Sequence, residues 1–148
     1  MKQNAAFLLL LLAFWGCKKD EQPVPTDPNL VQFDVQLLGK NEVPETISLA
    51  SGTFKGTYNK TTKILNYTLT YKDMTTSAAH FHKGAVTSTG AIVINIATVA
   101  FASPLSNQTA VLNTQQETDL LAGAWYVNVH SAIYQTGEIR GQLVKKSE

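Results

Sequence analysis

Two segments of the chain repeat one layout. Ala79-His80-Phe81-His82 is followed, eight residues after His82, by Gly90-Ala91-Ile92-Val93-Ile94. Val127-Asn128-Val129-His130 is followed, seven residues after His130, by Gly137-Glu138-Ile139-Arg140-Gly141. In each, an alternating strand ends at a histidine, a turn closes on Thr-Gly, and a second alternating strand leaves. Two such corners demand antiparallel pairing, and they account for all three histidines of the chain.

The period of two continues elsewhere. Phe33, Val35 and Leu37 alternate with Asp34 and Gln36. Thr53 to Tyr58 and Lys63 to Tyr71 flank Asn59-Lys60-Thr61-Thr62, which predicts a hairpin with Leu65, Tyr67, Leu69 and Tyr71 on one face. Further strands are expected over Ala78 to His82, over Ala91 to Ala97 and around Gln108 to Leu112, and the last hairpin joins Trp125 to His130 with Glu138 to Val144. Thr114-Gln115-Gln116-Glu117 fits a capping box, and Gly123 suits a left-handed terminator, so one short helix is expected near residues 115–122. Short strands at this spacing predict an all-β fold, an antiparallel Greek-key β-sandwich of about seven or eight strands with one short helix.

The N-terminus has a different character. Lys2 precedes an apolar run from Ala5 to Trp15, eleven residues where a membrane span needs roughly twenty. The run ends at Gly16-Cys17, and Cys17 is the only cysteine. A small residue before Cys resembles the bacterial lipoprotein signal, in which that thiol is acylated. A lone Cys forms no internal disulfide, whereas several acyl chains at ~0.8 kcal/mol per buried CH₂ would anchor the protein firmly. Lys18-Lys19-Asp20-Glu21-Gln22 is similar to the surface-export signal of Bacteroidetes lipoproteins, with a solvated charged leader as the bland alternative. Pro23, Pro25 and Pro28 stiffen the chain that follows. The expected division is a signal peptide at residues 1–16, a lipidated Cys17 with a Pro-rich tether over 17–30, and one domain over 31–146. The implied location is the outer membrane or cell surface.

Charge excludes some partners. Without Lys2, eleven basic and eleven acidic side chains remain, and Arg140 is the only arginine. No basic stripe offers itself to nucleic acid. No Gly-rich phosphate loop, metalloprotease helix or G-x-S-x-G elbow occurs, and no catalytic residue is assigned.

Ala79-His80-Phe81-His82-Lys83-Gly84, the Leu120-Leu121-Ala122-Gly123 turn, and Trp125 to His130 through Gly137 to Leu143 resemble the CHRD domain, the module repeated in chordin. The opening Phe33 to Leu38 and Asn41-Glu42-Val43-Pro44 is similar to that domain's start. The resemblance covers about residues 31 to 145. It implies an extracellular binding module and carries no generally assigned activity.

His80 and His82 share one strand face while Ala79 and Phe81 take the other. His130 shares a face with Asn128 and Tyr126 while Val127 and Val129 point inward. If the two copies lie side by side, His82 and His130 become neighbours, and His80, His82 and His130 together would suit Zn²⁺ or Cu²⁺. A His-x-His strand in a Greek-key sandwich is also similar to copper/zinc superoxide dismutase, but that enzyme needs more imidazoles and a disulfide, which excludes its activity here. The alternative is structural: each strand-end His donates a ring N–H to a loop carbonyl and fixes its turn. Arg140, Glu138, Tyr126 and Asn128 are candidate contacts for a ligand or partner, and a structural pairing of Arg140 with Glu138 or another acid is also expected. The function expected is a lipid-anchored extracytoplasmic binding or structural module, without catalysis or cofactor, for a protein or glycan partner. The alternative is a small copper- or zinc-binding protein.

Overall fold

A computed structural model describes residues 27–146. The expected signal peptide, Cys17 and most of the tether lie outside the described residues. Eight strands form: β1 Leu30–Leu38, β2 Ser51–Asn59, β3 Ile64–Lys72, β4 Thr76–Lys83, β5 Ile92–Ala97, β6 Leu105–Gln108, β7 Trp125–Ser131 and β8 Ile139–Gln142, with helix α1 Thr114–Leu121 between β6 and β7. All pairings are antiparallel, and the strands line up as β5-β4-β7-β8-β1-β2-β3-β6.

The sandwich is therefore one continuous sheet bent at its middle. The bend falls at the seam between β8 and β1, which pair at only one register position, Leu38 opposite Arg140. A thin seam leaves the two halves free to fold face to face. Rings from both halves then meet: Phe81 of β4 lies 5.6 Å from Phe54 of β2 and 5.3 Å from Tyr67 of β3, edge to face with each. Phe81 also packs 5.8 Å from Trp125 of β7.

The alternation seen in sequence becomes this core. Phe33, Val35 and Leu37 of β1, Leu65, Tyr67 and Leu69 of β3, Ala79 and Phe81 of β4, and Val127 and Val129 of β7 are all buried in it. Burying each large apolar side chain contributes about 1.5–3 kcal/mol, so the inward positions hold the register.

Three local expectations shift. The strand foreseen around Gln108 to Leu112 is Leu105–Gln108, one segment earlier. Residues 109–112 still follow β3, but through separate bonds from Thr109 N to the Leu65 carbonyl and from Leu112 N to the Lys63 carbonyl. The capping box sits one residue earlier than Thr114: Asn113 accepts from the Gln116 amide, and the Gln116 side chain accepts from the Asn113 amide. Asn is as good a cap as Thr, and Gln fills the third position as well as Glu. Glu117 is instead released to pair with Lys63 at 3.0 Å. The last strand is also shorter than the Glu138 to Val144 segment, covering Ile139–Gln142. Gly123 does end the helix with a positive φ of 73°.

Candidate metal centre

The site grows from the pairing of β4 with β7. Their antiparallel register sets Ala78 opposite His130, His80 opposite Asn128 and His82 opposite Tyr126. Because Phe81 and Val129 face the core, His80, His82, Asn128 and His130 share the outer face. An outer face is ordinarily solvated, yet His82, His130, Asn128, Tyr126 and Arg140 are buried there. Besides the turn over 132–137, which bonds to His130 and Asn128, two coverings cause this. The loop over residues 84–91 folds across β7 and β8, pinned by Arg140 and Gln142, and the segment over 41–48 crosses β8 through Asn41, Thr46 and Ser48.

The three imidazoles converge. One nitrogen from each of His80, His82 and His130 lies within 4.8 Å of the others. His80 Nδ1 and His130 Nε2 are 2.9 Å apart, and the His80 ring lies 5.5 Å from that of His82. The closest pair is thus His80 with His130, whereas His82 and His130 stand 6.3 Å apart by ring centre. The cause is the antiparallel register, which offsets His130 toward the start of β4.

The other ring nitrogens do the turn-fixing work foreseen for a structural His. His82 Nδ1 lies 2.9 Å from the Gly90 carbonyl, and His130 Nδ1 lies 2.9 Å from the Gln135 carbonyl. A carbonyl only accepts, so both Nδ1 atoms carry the proton and both Nε2 atoms carry a lone pair. His80 Nδ1 must then donate to His130 Nε2. Backbone-anchored Nδ1–H with a free Nε2 is the arrangement in which proteins present His to a metal, and His82 has it. Tetrahedral Zn–N bonds of about 2.0–2.1 Å separate ligand nitrogens by roughly 3.3 Å, so closure needs only small ring movements. At His82 the two readings use opposite edges of the ring, whereas a metal at His130 Nε2 must displace the His80 Nδ1–H bond.

The electrostatics suit a cation ligand set. Burial lowers the pKa of all three histidines; at His80 it acts together with repulsion from His130 and His82, bringing that ring to about 4. The rings are therefore neutral at pH 7, as ligation requires. Five buried side-chain atoms among the described residues lack a protein hydrogen-bond partner, and three belong to this outer face: His82 Nε2, Asn128 Oδ1 and Glu42 Oε1. Unpartnered buried acceptors in one region call for a donor or a cation.

The other candidate residues surround the histidines without opening to solvent. Tyr126 stands between β4 and β8: His82 stacks on it at 4.9 Å and 5°, and the Arg140 guanidinium carbon sits 3.4 Å from its ring centre. Arg140 donates to the carbonyls of Ser88 at 3.0 Å and Ala85 at 2.8 Å, and so holds the covering loop. Of the acids foreseen for it, Glu138 accepts instead from the Ser48 hydroxyl at 2.6 Å, and Glu42 is the one whose charge acts on Arg140. Asn128 donates to the Thr136 carbonyl at 3.4 Å and stands between Glu42 and His82.

Glu42 is a residue to which the sequence analysis assigned no role. It is buried, and desolvation pushes its carboxyl up to about 7 although Arg140 and Asn128 pull it down. The nearest signal was its place in the Asn41-Glu42-Val43-Pro44 opening. The two Thr-Gly glycines have distinct reasons: a Cβ on Gly90 would collide with the Lys83 carbonyl, and Gly137 has φ of 130° beneath Glu42 and Asn128. Each lets a turn close tightly enough for its His to reach a carbonyl.

A family model described as the CHRD domain matches residues 33–143. No curated protein and no solved structure matches the chain.

Proposed function

This chain belongs to the CHRD domain family, and on that footing we propose that it is a lipid-anchored extracytoplasmic β-sandwich whose outer-face histidines bind Cu²⁺ or Zn²⁺. The observation that carries the reading is the convergence of His80, His82 and His130, with His82 and His130 held through Nδ1 by backbone carbonyls. Three neutral imidazoles suit both metals, and Cu²⁺ binds the more tightly by the Irving–Williams order. The Gly16-Cys17 leader supports attachment to the outer membrane or cell surface through acyl chains. The role is binding rather than catalysis, with the metal or an extracellular protein or glycan as ligand.

The test is calorimetric titration of the untagged chain from residue 17 onward, carrying Cys17→Ser, with Zn²⁺ and Cu²⁺. Saturable binding of one ion per chain, lost in His82→Ala, is the expected result. Absence of heat together with an unchanged melting temperature would leave the histidines as turn anchors only, a reading that their Nδ1 bonds favour on their own.

A further inference from the structure

The outer-face site opens on one side. A pocket of about 440 Å³ adjoins the three histidines, and its remaining wall is Ser77, Ala78, Ile92, Ser131, Ala132 and Gln135. Ile92, Ala132 and Gln135 are exposed, so the pocket communicates with solvent. The wall offers no carboxylate, thiol or further imidazole. Among the described residues the cluster of metal-competent side chains consists of the three histidines alone.

The charge balance of that arrangement is uneven. Three neutral imidazoles leave a bound divalent ion with its full double charge. The closest fixed charge on the Tyr126 side is cationic as well, because Arg140 stacks on Tyr126 and Tyr126 stacks on His82. Glu42 lies behind Asn128 and against Arg140, away from the pocket wall. A dication in a partly desolvated site needs a counter-charge close by, and three protein ligands leave at least one coordination position unfilled. The pocket is the side from which both needs can be met.

We infer that the metal-loaded site takes a small monoanion from solvent as a further ligand, through the pocket beside Ala78, Ile92 and Ala132. This rests on the metal reading and deepens it by naming the class of ligand. Small anions of the carboxylate, bicarbonate or azide type fit: one oxygen or nitrogen reaches the metal, and the short apolar wall accommodates a small substituent. Ser77, Ser131 and Gln135 supply hydroxyl and amide groups that can bond to the anion's remaining atoms.

Azide is the probe, with the copper-loaded chain carrying Cys17→Ser as the protein. An azide-to-copper charge-transfer band should appear, saturate, and be displaced by acetate. Ala132→Glu adds a tethered carboxylate to the pocket wall and should weaken azide binding at least about tenfold while copper stays bound. Thr57→Glu, on the other half of the sheet, adds the same charge at a distance and should leave the azide affinity unchanged. If copper binds and azide produces no band, the anion inference fails and the metal reading survives. Failure of copper itself to bind takes down the metal reading and the anion inference with it. Equal azide affinity in the chain with and without Ala132→Glu puts the anion elsewhere and overturns the inference.

Discussion

The inner and outer faces of β4 and β7 differ in kind although both are largely covered. Inside, Ala79, Phe81, Val127 and Val129 are fully enclosed by apolar neighbours. Outside, His80, His82, Asn128 and His130 lie among Tyr126, Arg140 and covering loops. Apolar burial is non-directional: any side chain of about the right volume contributes, and the energy scales with area. Polar burial is directional, and every donor or acceptor must find a partner at the right angle. The inner face of the two strands leaves a single polar atom without a partner, the Trp125 indole N–H, which is a donor. On the outer face acceptors remain over, and that remainder is what a ligand can use.

The sharpest break of this comparison is a pair of neighbours on one strand. Phe81→Ala should cost about 3–5 kcal/mol in urea denaturation, because Phe81 joins both halves of the sheet. His80→Ala, one residue away, should cost far less, since it is half-buried and releases a ring crowded by two others. Equal losses would mean the outer face carries the fold as much as the core does.

Metal comes next. Zn²⁺ at a hundredfold excess over its dissociation constant should stabilise the domain by about 2.7 kcal/mol, read as a raised melting temperature that a chelator reverses. His80→Ala, His82→Ala and His130→Ala should each abolish the rise. A rise that survives all three substitutions would move the ion to another site.

Arg140→Lys should cost about 1–3 kcal/mol, because an ammonium cannot span the Ser88 and Ala85 carbonyls as the planar fork does. Amide exchange should quicken in the loop over 84–91 while the core of β2 and β3 stays protected. Uniform quickening everywhere would show that Arg140 serves the whole fold rather than this cover.

The pH effect is the most gradual. Histidines held below their unfolded pKa of about 6.5 bind fewer protons folded than unfolded, so their contribution is complete above that pH and is lost as the pH falls through it, down to about 4 at His80. Glu42, raised to about 7, acts in the opposite sense: its contribution is present below about 4.5 and is lost as the pH rises through 7. His80 and Glu42 thus oppose one another over overlapping ranges, and Glu42→Gln removes that opposition. The metal-free Glu42→Gln domain should therefore melt lower near pH 5 than near pH 7, with a steeper slope than the unsubstituted domain. A flat melting profile in Glu42→Gln would contradict the depressed imidazoles.

Much of the fold was legible. The alternation of Phe33 to Leu37, Leu65 to Tyr71 and Val127 to Val129 gave strands and inward faces directly, since a residue's face follows from its parity once a neighbour is fixed. The strand at Leu105–Gln108 was not legible in the same way. Its burial pattern has only Leu105 partly covered, so no hydrophobic period marked it. The cap at Asn113 slipped by one residue because Asn-Thr at the helix start offers two competent oxygens. Of the candidate site, the identity of the three histidines and their common face were readable. The carbonyl partners at Gly90 and Gln135, the burial of Arg140 and the role of Glu42 were not, because each depends on loops that cross the sheet from distant parts of the chain.

The amino-acid order by itself determined that this chain is antiparallel β, which residues enter its core, and that its histidines gather at repeated corners. These are properties of local period and turn chemistry, which need no knowledge of distant neighbours. Only the tertiary structure decided that β4 lies beside β7 in a register that brings His80 onto His130, and that loops cover the outer face on one side of them. Register between strands about fifty positions apart, and the path of a covering loop, are settled by which packing satisfies the most buried groups at once, and no local pattern encodes that choice.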